Sequence, residues 1–351
     1  MSSPEPEPRT PSAVPPSWGR ARASQQLRTV ETEPLDYHRL LRGTPAYRWW
    51  KPLALLLLSG VFFGILTVVV TVAVIPVLML TDPNHPMQVA AGTAEVLDTQ
   101  RPISVLVSMV SIIIMLPAVL LAMLVMGMRP IGRIWSVAAR MRWGLLGRLL
   151  GVSVLAIVVM NLVGIGVGLL LEPATDAAAA TSETGFDARA ALLSMLLVLF
   201  LVPLQSTAEE VVFRGLFMQV LGAWIRNPWF AILIPSIGFA SLHIYDIWGL
   251  LAVGLLGAVS AWLTWRTGGL EAAIAIHIVN NYVAFGIMAS GLTGETAQTT
   301  GDGNPAGLIG QIAGLALFLW LTLRVFTRGG YGRQRIDLIQ IPAASQEGGT
   351  R

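Results

Sequence analysis

From residue 52 to residue 325 the chain alternates long apolar runs with short polar stretches. At about 1.5 Å of rise per residue, a helix of roughly 20 residues crosses the ~30 Å hydrocarbon layer of a bilayer. The pattern predicts about eight transmembrane helices, at 52–80, 102–127, 146–171, 190–222, 228–245, 247–265, 268–290 and 307–325. The predicted fold class is therefore an all-α polytopic membrane protein. Glycines 151, 164, 166 and 168 in the third run are small enough to let helices approach closely. No internal repeat of the kind used by inverted-repeat transporters is visible.

Composition agrees with a lipid environment. Of the 351 residues 54% are hydrophobic and only 12% charged, against about 25% charged in soluble domains. With no cysteine, disulfides, thiolate metal sites and a cysteine nucleophile are excluded. Residues 1–49 are rich in Pro, Ser, Glu and Arg, and the expectation is a tail that is disordered or loosely surface-bound, because so few apolar side chains cannot offset chain entropy. The tail lacks the apolar core and cleavage site of a signal peptide. Trp49, Trp50 and Lys51 form an interfacial anchor before the first run. The expected organisation is this tail, N-terminal helices over 50–189, a core over 190–290, a last loop and helix over 291–327, and a second tail over 328–351.

Charge separates the loops into two sets. Arg39, Arg42, Arg48, Arg129, Arg133, Arg140, Arg142, Arg148, Arg226, Arg266, Arg324, Arg328, Arg333 and Arg335 fall on one side of an eight-span chain. Asp82, Glu95, Asp98, Glu172, Asp176, Glu183, Asp187, Glu295 and Asp302 fall on the other. Positive-inside counting puts both termini in the cytoplasm. The expected location is a multi-pass integral membrane protein, in the plasma membrane if the source is prokaryotic.

Against this apolar background, Glu209 and Glu210 stand side by side with Arg214 four residues on. One acid near a bilayer centre costs at least about 2.5–3.5 kcal/mol, so intramembrane ionisable groups are functional candidates by default. Glu210 and Arg214 share a helix face and can pair, whereas Glu209 projects about 100° away. One reading is a single structural charge cluster. The sharper one makes Glu210–Arg214 a brace and leaves Glu209 to act as a base. Phe239 and His243 repeat the four-residue spacing on the fifth run, and His277 and Asn281 on the seventh. Taken singly, either histidine is explained by packing. Measured from a turn at 224–228, Glu209 and His243 both lie roughly 22 Å up their helices, and His277 and Asn281 approach that level. Such a set suits hydrolysis of an amide or ester. A carboxylate in a low-dielectric cavity takes a proton from a water held with a histidine, while His277 and Asn281 supply donors to an oxyanion. Ser236 and Ser241 flank His243, but neither stands in a nucleophile setting.

These three motifs, Glu209-Glu210-x-x-x-Arg214, Phe239-x-x-x-His243 and His277-x-x-x-Asn281, resemble those of the CAAX prenyl protease and bacteriocin-processing (CPBP) family of intramembrane proteases. The resemblance covers about residues 190–290. It implies an all-helical membrane core that cleaves peptide bonds near the membrane surface, prenylated C-terminal tripeptides among them. Glu209 would activate water with His243, His277 and Asn281 would bind the oxyanion, and Glu210, Arg214 and Phe239 would support them. Members of the family have been described as metalloproteases, so Glu209, His243 and His277 are the zinc ligands if zinc is used. Without a His-Glu-x-x-His spacing, the preferred expectation is that no cofactor is required.

Other classes remain open on sequence alone: a non-catalytic scaffold or bacteriocin-immunity protein, and a proton-coupled transporter. Expected partners are membrane lipids and a peptide or membrane-protein substrate, lipidated ones included, and no nucleic acid. Of the remaining polar groups, Glu271 reads as an interfacial acid near Arg266, Asp246 as a solvated helix end, and His38 and His85 as lacking evident partners. The oligomeric state is not legible in the chain.

Overall fold

The computed structural model describes residues 27–171, 186–301 and 303–342. It is a helical bundle with two short antiparallel strand pairs on one face. A strand β1 (Leu27–Glu31) and a shorter β2 (Leu35–Asp36) lead through a 3₁₀ turn (Tyr37–Gly43) into α1 (Lys51–Thr81). Then follow α2 (His85–Ala90), α3 (Pro102–Ile113), α4 (Met115–Val125) and α5 (Trp143–Leu171). α6 (Ala188–Glu210) runs through a π-helical turn (Val211–Phe217) into α7 (Met218–Trp224). α8 (Pro228–Ser241), α9 (Ile247–Thr267), α10 (Glu271–Ser290) and α11 (Pro305–Arg328) complete the bundle, and β3 (Gln334–Arg335) and β4 (Leu338–Pro342) end the described chain.

Among the described residues, seven helical stretches are long and apolar enough to cross a membrane. This is a multi-pass integral membrane protein. Its outer surface carries the side chains lipid requires: Leu57, Val68, Val72 and Leu80 of α1 are exposed, Leu80 by 87%, a patch no soluble monomer would leave bare. The expected eight spans need one correction. The fifth, α8, has 14 residues, or about 21 Å, and falls short of the hydrocarbon thickness. Asn227 fixes its start by accepting from Trp229 N at 3.0 Å, Pro228 fits the first turn, and the helix closes at Ser241. The up-and-down order survives, because the turn after α8 still meets the loops at the far ends of α3 and α10. There Gln298 donates to Tyr245 Oη at 2.8 Å, and Asp98 bridges to Ala297.

Capping chemistry sets several other boundaries. Asp187, Asp246 and Asn304 each accept from a backbone N–H of the helix they precede, and α9 and α10 end at Gly268 and Gly291 in the left-handed region. The glycines that bring helices together lie mainly on α11. A Cβ on Gly310 would sit 2.4 Å from the Met160 carbonyl oxygen, and one on Gly314 2.6 Å from Met160 Cβ. Gly164 faces this seam, whereas Gly151 and Gly166 meet nothing within 4 Å.

Both ends of the described chain lie on one face, since β1 pairs with β4 and β2 with β3. This corrects the expected disordered tail for residues 27–49; residues 1–26 lie outside the described residues. Leu35, Tyr37, Leu40 and Leu41 are buried, and His38 Nε2 donates to the Arg226 carbonyl at 3.1 Å. Gly222 of α7 admits this segment, because a Cβ there would lie 2.0 Å from the His38 carbonyl oxygen. From the C-terminal side, Asp337 grips Arg133 through two bonds and accepts from Arg335 at 2.7 Å. Burial alone would raise the Asp337 carboxyl, but Arg133 and Arg335 outweigh it and hold it below the usual range. A local reading misses this packing because β1 finds its partner some 300 residues away. On the opposite face, Arg101 pairs with Asp82 at 3.0 Å and Asp98 at 3.6 Å, and His85 Nδ1 lies 3.0 Å from the same guanidinium. Glu172, Asp176, Glu183 and Asp302, which sequence assigns to that face, lie outside the described residues.

Candidate active site

Glu209 and Glu210 are the last two residues of α6, immediately before the π-helical turn that carries Arg214. Such turns recur at functional sites. Glu210 Oε1 accepts from Arg214 Nη1 at 3.0 Å, with both side chains 1% exposed. The same oxygen lies 2.7 Å from His277 Nδ1, while His277 Nε2 lies 3.2 Å from Glu209 Oε2. One imidazole on α10 therefore bridges the two neighbouring acids. A neutral imidazole has one N–H, so filling both contacts needs a second proton, on the ring or on a carboxyl. With Arg214 included, the four groups can reach zero net charge, which is what a low-dielectric site demands.

Phe239 is the apolar hub. The Arg214 guanidinium carbon stands 4.3 Å from its ring centroid, and the rings of Phe213, His243 and His277 meet it at 5.1, 4.8 and 5.8 Å. This cation–π contact sits where Arg214 Nε and Nη2 have no hydrogen-bond partner among the described residues. Gly257 of α9 makes the space, for a Cβ there would lie 2.8 Å from Arg214 Nη2.

His243 lies just beyond α8, its Nδ1 2.8 Å from the Phe239 carbonyl oxygen. A carbonyl only accepts, so Nδ1 carries the hydrogen and the neutral ring keeps its Nε2 lone pair free. Asn281, one turn above His277, donates to Gln205 Oε1 at 3.0 Å and accepts from Asn280 at 3.3 Å. Glu209 bonds only through Oε2 among the described residues and keeps 12% of its side chain open.

The structure thus brings Glu209, Glu210, Arg214, Phe239, His243 and His277 into one contiguous group, with Asn281 one turn beyond His277 and bonded to Gln205. One expectation changes: His277 does not stand apart as an oxyanion donor, because both its nitrogens face carboxylates. Glu209 is hydrogen-bonded to His277. The sequence reading also passed over Gln205 and Gly257. Gln205 was findable, as a polar residue one helical turn before Glu209 in an apolar run. Gly257 had no signal beyond its size. Glu271 is corrected as well: fully buried, it holds Arg142 through Nε at 2.9 Å and Nη2 at 2.6 Å, fixing the base of the helix that bears His277. Asp246 caps α9, accepting from Gly249 N at 2.8 Å.

The side chains do not fit a zinc site as they stand. A ligating histidine needs a free lone pair, but both His277 nitrogens are taken up by Glu209 and Glu210. No group of three His, Cys, Asp or Glu is set to hold a metal ion among the described residues.

Residues 189–283, which span this entire group, match the model of the Rce1-like family, the type II CAAX prenyl endopeptidases. Over that segment the chain is similar to this family. The Rce1-like segment runs from α6 into α10 and leaves α1–α5, α11 and both strand pairs outside it. The uncharacterized protein YyaK of Bacillus subtilis (strain 168) is 32% identical over 103 residues, 27% of this chain and 34% of YyaK. The chain thus spans about a third of the length of that curated relative. No solved structure matches.

Proposed function

We propose that the protein is an intramembrane endopeptidase that hydrolyses a peptide bond with a glutamate-activated water. The observation that carries this reading is the unequal placement of the two acids. Glu210 is enclosed by Arg214 and His277, whereas Glu209 keeps Oε1 open. A water between Glu209 Oε1 and His243 Nε2 can lose its proton to the carboxylate as it attacks. The proton taken up by Glu209 then passes to the departing amine as the C–N bond breaks, while His243 Nε2 accepts from the attacking water and its Nδ1–H stays on the Phe239 carbonyl. Asn281 retains a second amide hydrogen for the developing oxyanion, aimed by Gln205. His277 and Arg214 position Glu209 and Glu210 and neutralise the pair. No cofactor enters this scheme. The Rce1-like match over residues 189–283 supports the reaction class. Substrates are peptides or membrane-associated proteins, lipidated ones included.

The experiment is turnover of a peptide library by the purified protein in detergent. Glu209→Gln should remain folded and bind peptide while losing cleavage. Native-like cleavage by that variant refutes the proposal, and proton-coupled flux in liposomes without cleavage would favour a transporter.

A further inference from the structure

A cavity of about 370 Å³ adjoins the catalytic group, lined among others by Tyr245, Ala252, Leu256, Asn280, Glu295 and Gln311. It meets the site at two points. Tyr245 stacks on the His243 ring at 5.8 Å, and Asn280 bonds to Asn281 at 3.3 Å. Its mouth lies in the loop between α10 and α11, where Glu295 is exposed. That loop is on the face opposite the paired termini.

The other side of the catalytic layer is closed. Tyr37 donates from Oη to the Ile134 carbonyl, and Ile134 lies against Gly215 so tightly that a Cβ there would be 2.9 Å from its Cδ1. Gln219 Nε2 donates to the Arg133 carbonyl at 2.9 Å, and the buried Arg142–Glu271 pair seals the base of α10. The plugged face carries Arg129, Arg140, Arg226 and Arg328 among many arginines, and the open face carries Arg101 and Arg189 beside Asp82, Asp98, Asp187 and Glu295. By the positive-inside rule the plugged face is cytoplasmic.

We infer that the catalytic group is reached from the extracytoplasmic face, through the Tyr245–Asn280–Glu295 cavity, and that its substrate is a polypeptide segment presented there, not a cytoplasmic tail. What enters rests on the protease reading; the route and its side do not.

The cysteine-free sequence makes the test direct. Single-cysteine variants Glu295→Cys at the mouth, Arg140→Cys on the plugged face, and Asn280→Cys or Ala252→Cys in the cavity wall are treated with a membrane-impermeant maleimide in sealed vesicles of both orientations. The cavity cysteines should react wherever Glu295→Cys reacts, in right-side-out vesicles, and be protected wherever Arg140→Cys reacts. Two cavity positions guard against one variant that fails to fold. Labelling from the Arg140 side, from both sides or from neither overturns the inference, as does Glu295→Cys reacting in inverted vesicles. Repeating the labelling in Glu209→Gln separates access from turnover: correct labelling with no cleavage by native protein sinks the protease reading alone.

Discussion

His277 Nδ1 lies 2.7 Å from Glu210 Oε1, and with its other nitrogen the same ring holds Glu209 at 3.2 Å. Two acids that are adjacent in sequence thereby become different in kind. One is enclosed between an imidazole and a guanidinium, and the other is tethered on one side only. Replacing His277 by Ala should leave two carboxylates facing one arginine in an apolar interior. Breaking a buried pair in this way costs about 3–5 kcal/mol. The expected outcome is a lowered unfolding temperature in detergent together with loss of cleavage. Unchanged stability would mean that the bridge is not made.

Gly257→Ala tests the seat of Arg214. The added methyl would sit 2.8 Å from Arg214 Nη2 and 3.4 Å from Phe239 Cδ1, so the guanidinium has to move. Misplacing a catalytic frame by about 1 Å can cost roughly a hundredfold in rate. The expected result is a fall in kcat approaching that size with KM little changed. A rise in KM alone would place Gly257 in substrate binding instead.

Much of this arrangement was legible before any coordinates. Spacing of four along a helix picked out Glu210–Arg214, Phe239–His243 and His277–Asn281, because helical geometry is local. The bundle followed from apolar run length for the same reason. Which nitrogen of His277 meets which acid was not legible, since it depends on how α10 is rotated against α6. The docked tail was hidden too. Leu35, Tyr37, Leu40 and Leu41 are sparse in a polar stretch, and the surfaces that bury them come from residues near 134, 222 and 337. The shortness of α8 shows the limit of run length: residues 242–245 are apolar enough to extend the pattern but lie beyond the helix end at Ser241.

The Arg142–Glu271 pair gives a stability prediction that separates charge from packing. Glu271→Gln leaves a buried guanidinium without its counter-ion and should destabilise by about 3–5 kcal/mol. Replacing both partners, Arg142→Met with Glu271→Leu, should recover most of that loss, because the desolvation cost disappears with the charges. Thermal unfolding of the single and double variants measures the coupling, and an additive pair would contradict it.

Docking of the N-terminal segment should depend on pH through His38. Burial lowers the His38 pKa below its ordinary 6.5, and Nδ1 is enclosed with no hydrogen-bond partner among the described residues. The undocked chain therefore binds a proton at a higher pH than the docked one. Docking is at full strength above about 6.5 and weakens as pH falls through that value toward the folded pKa. Limited proteolysis between residues 27 and 49 should accelerate in that window, and His38→Gln should flatten the profile. An unchanged cleavage rate from pH 7.5 to 5.5 would contradict this.

In the proposed mechanism Glu209 activates water without a metal ligand set. The most direct measurement is the cleavage rate of one peptide substrate by native protein and Glu209→Gln, each with and without a chelator. Native cleavage should survive the chelator, and Glu209→Gln should fall by about 10²–10⁴-fold, the usual contribution of a general base. Loss of native cleavage with chelator and its recovery on adding zinc would contradict the account, as would a Glu209→Gln variant that cleaves at the native rate.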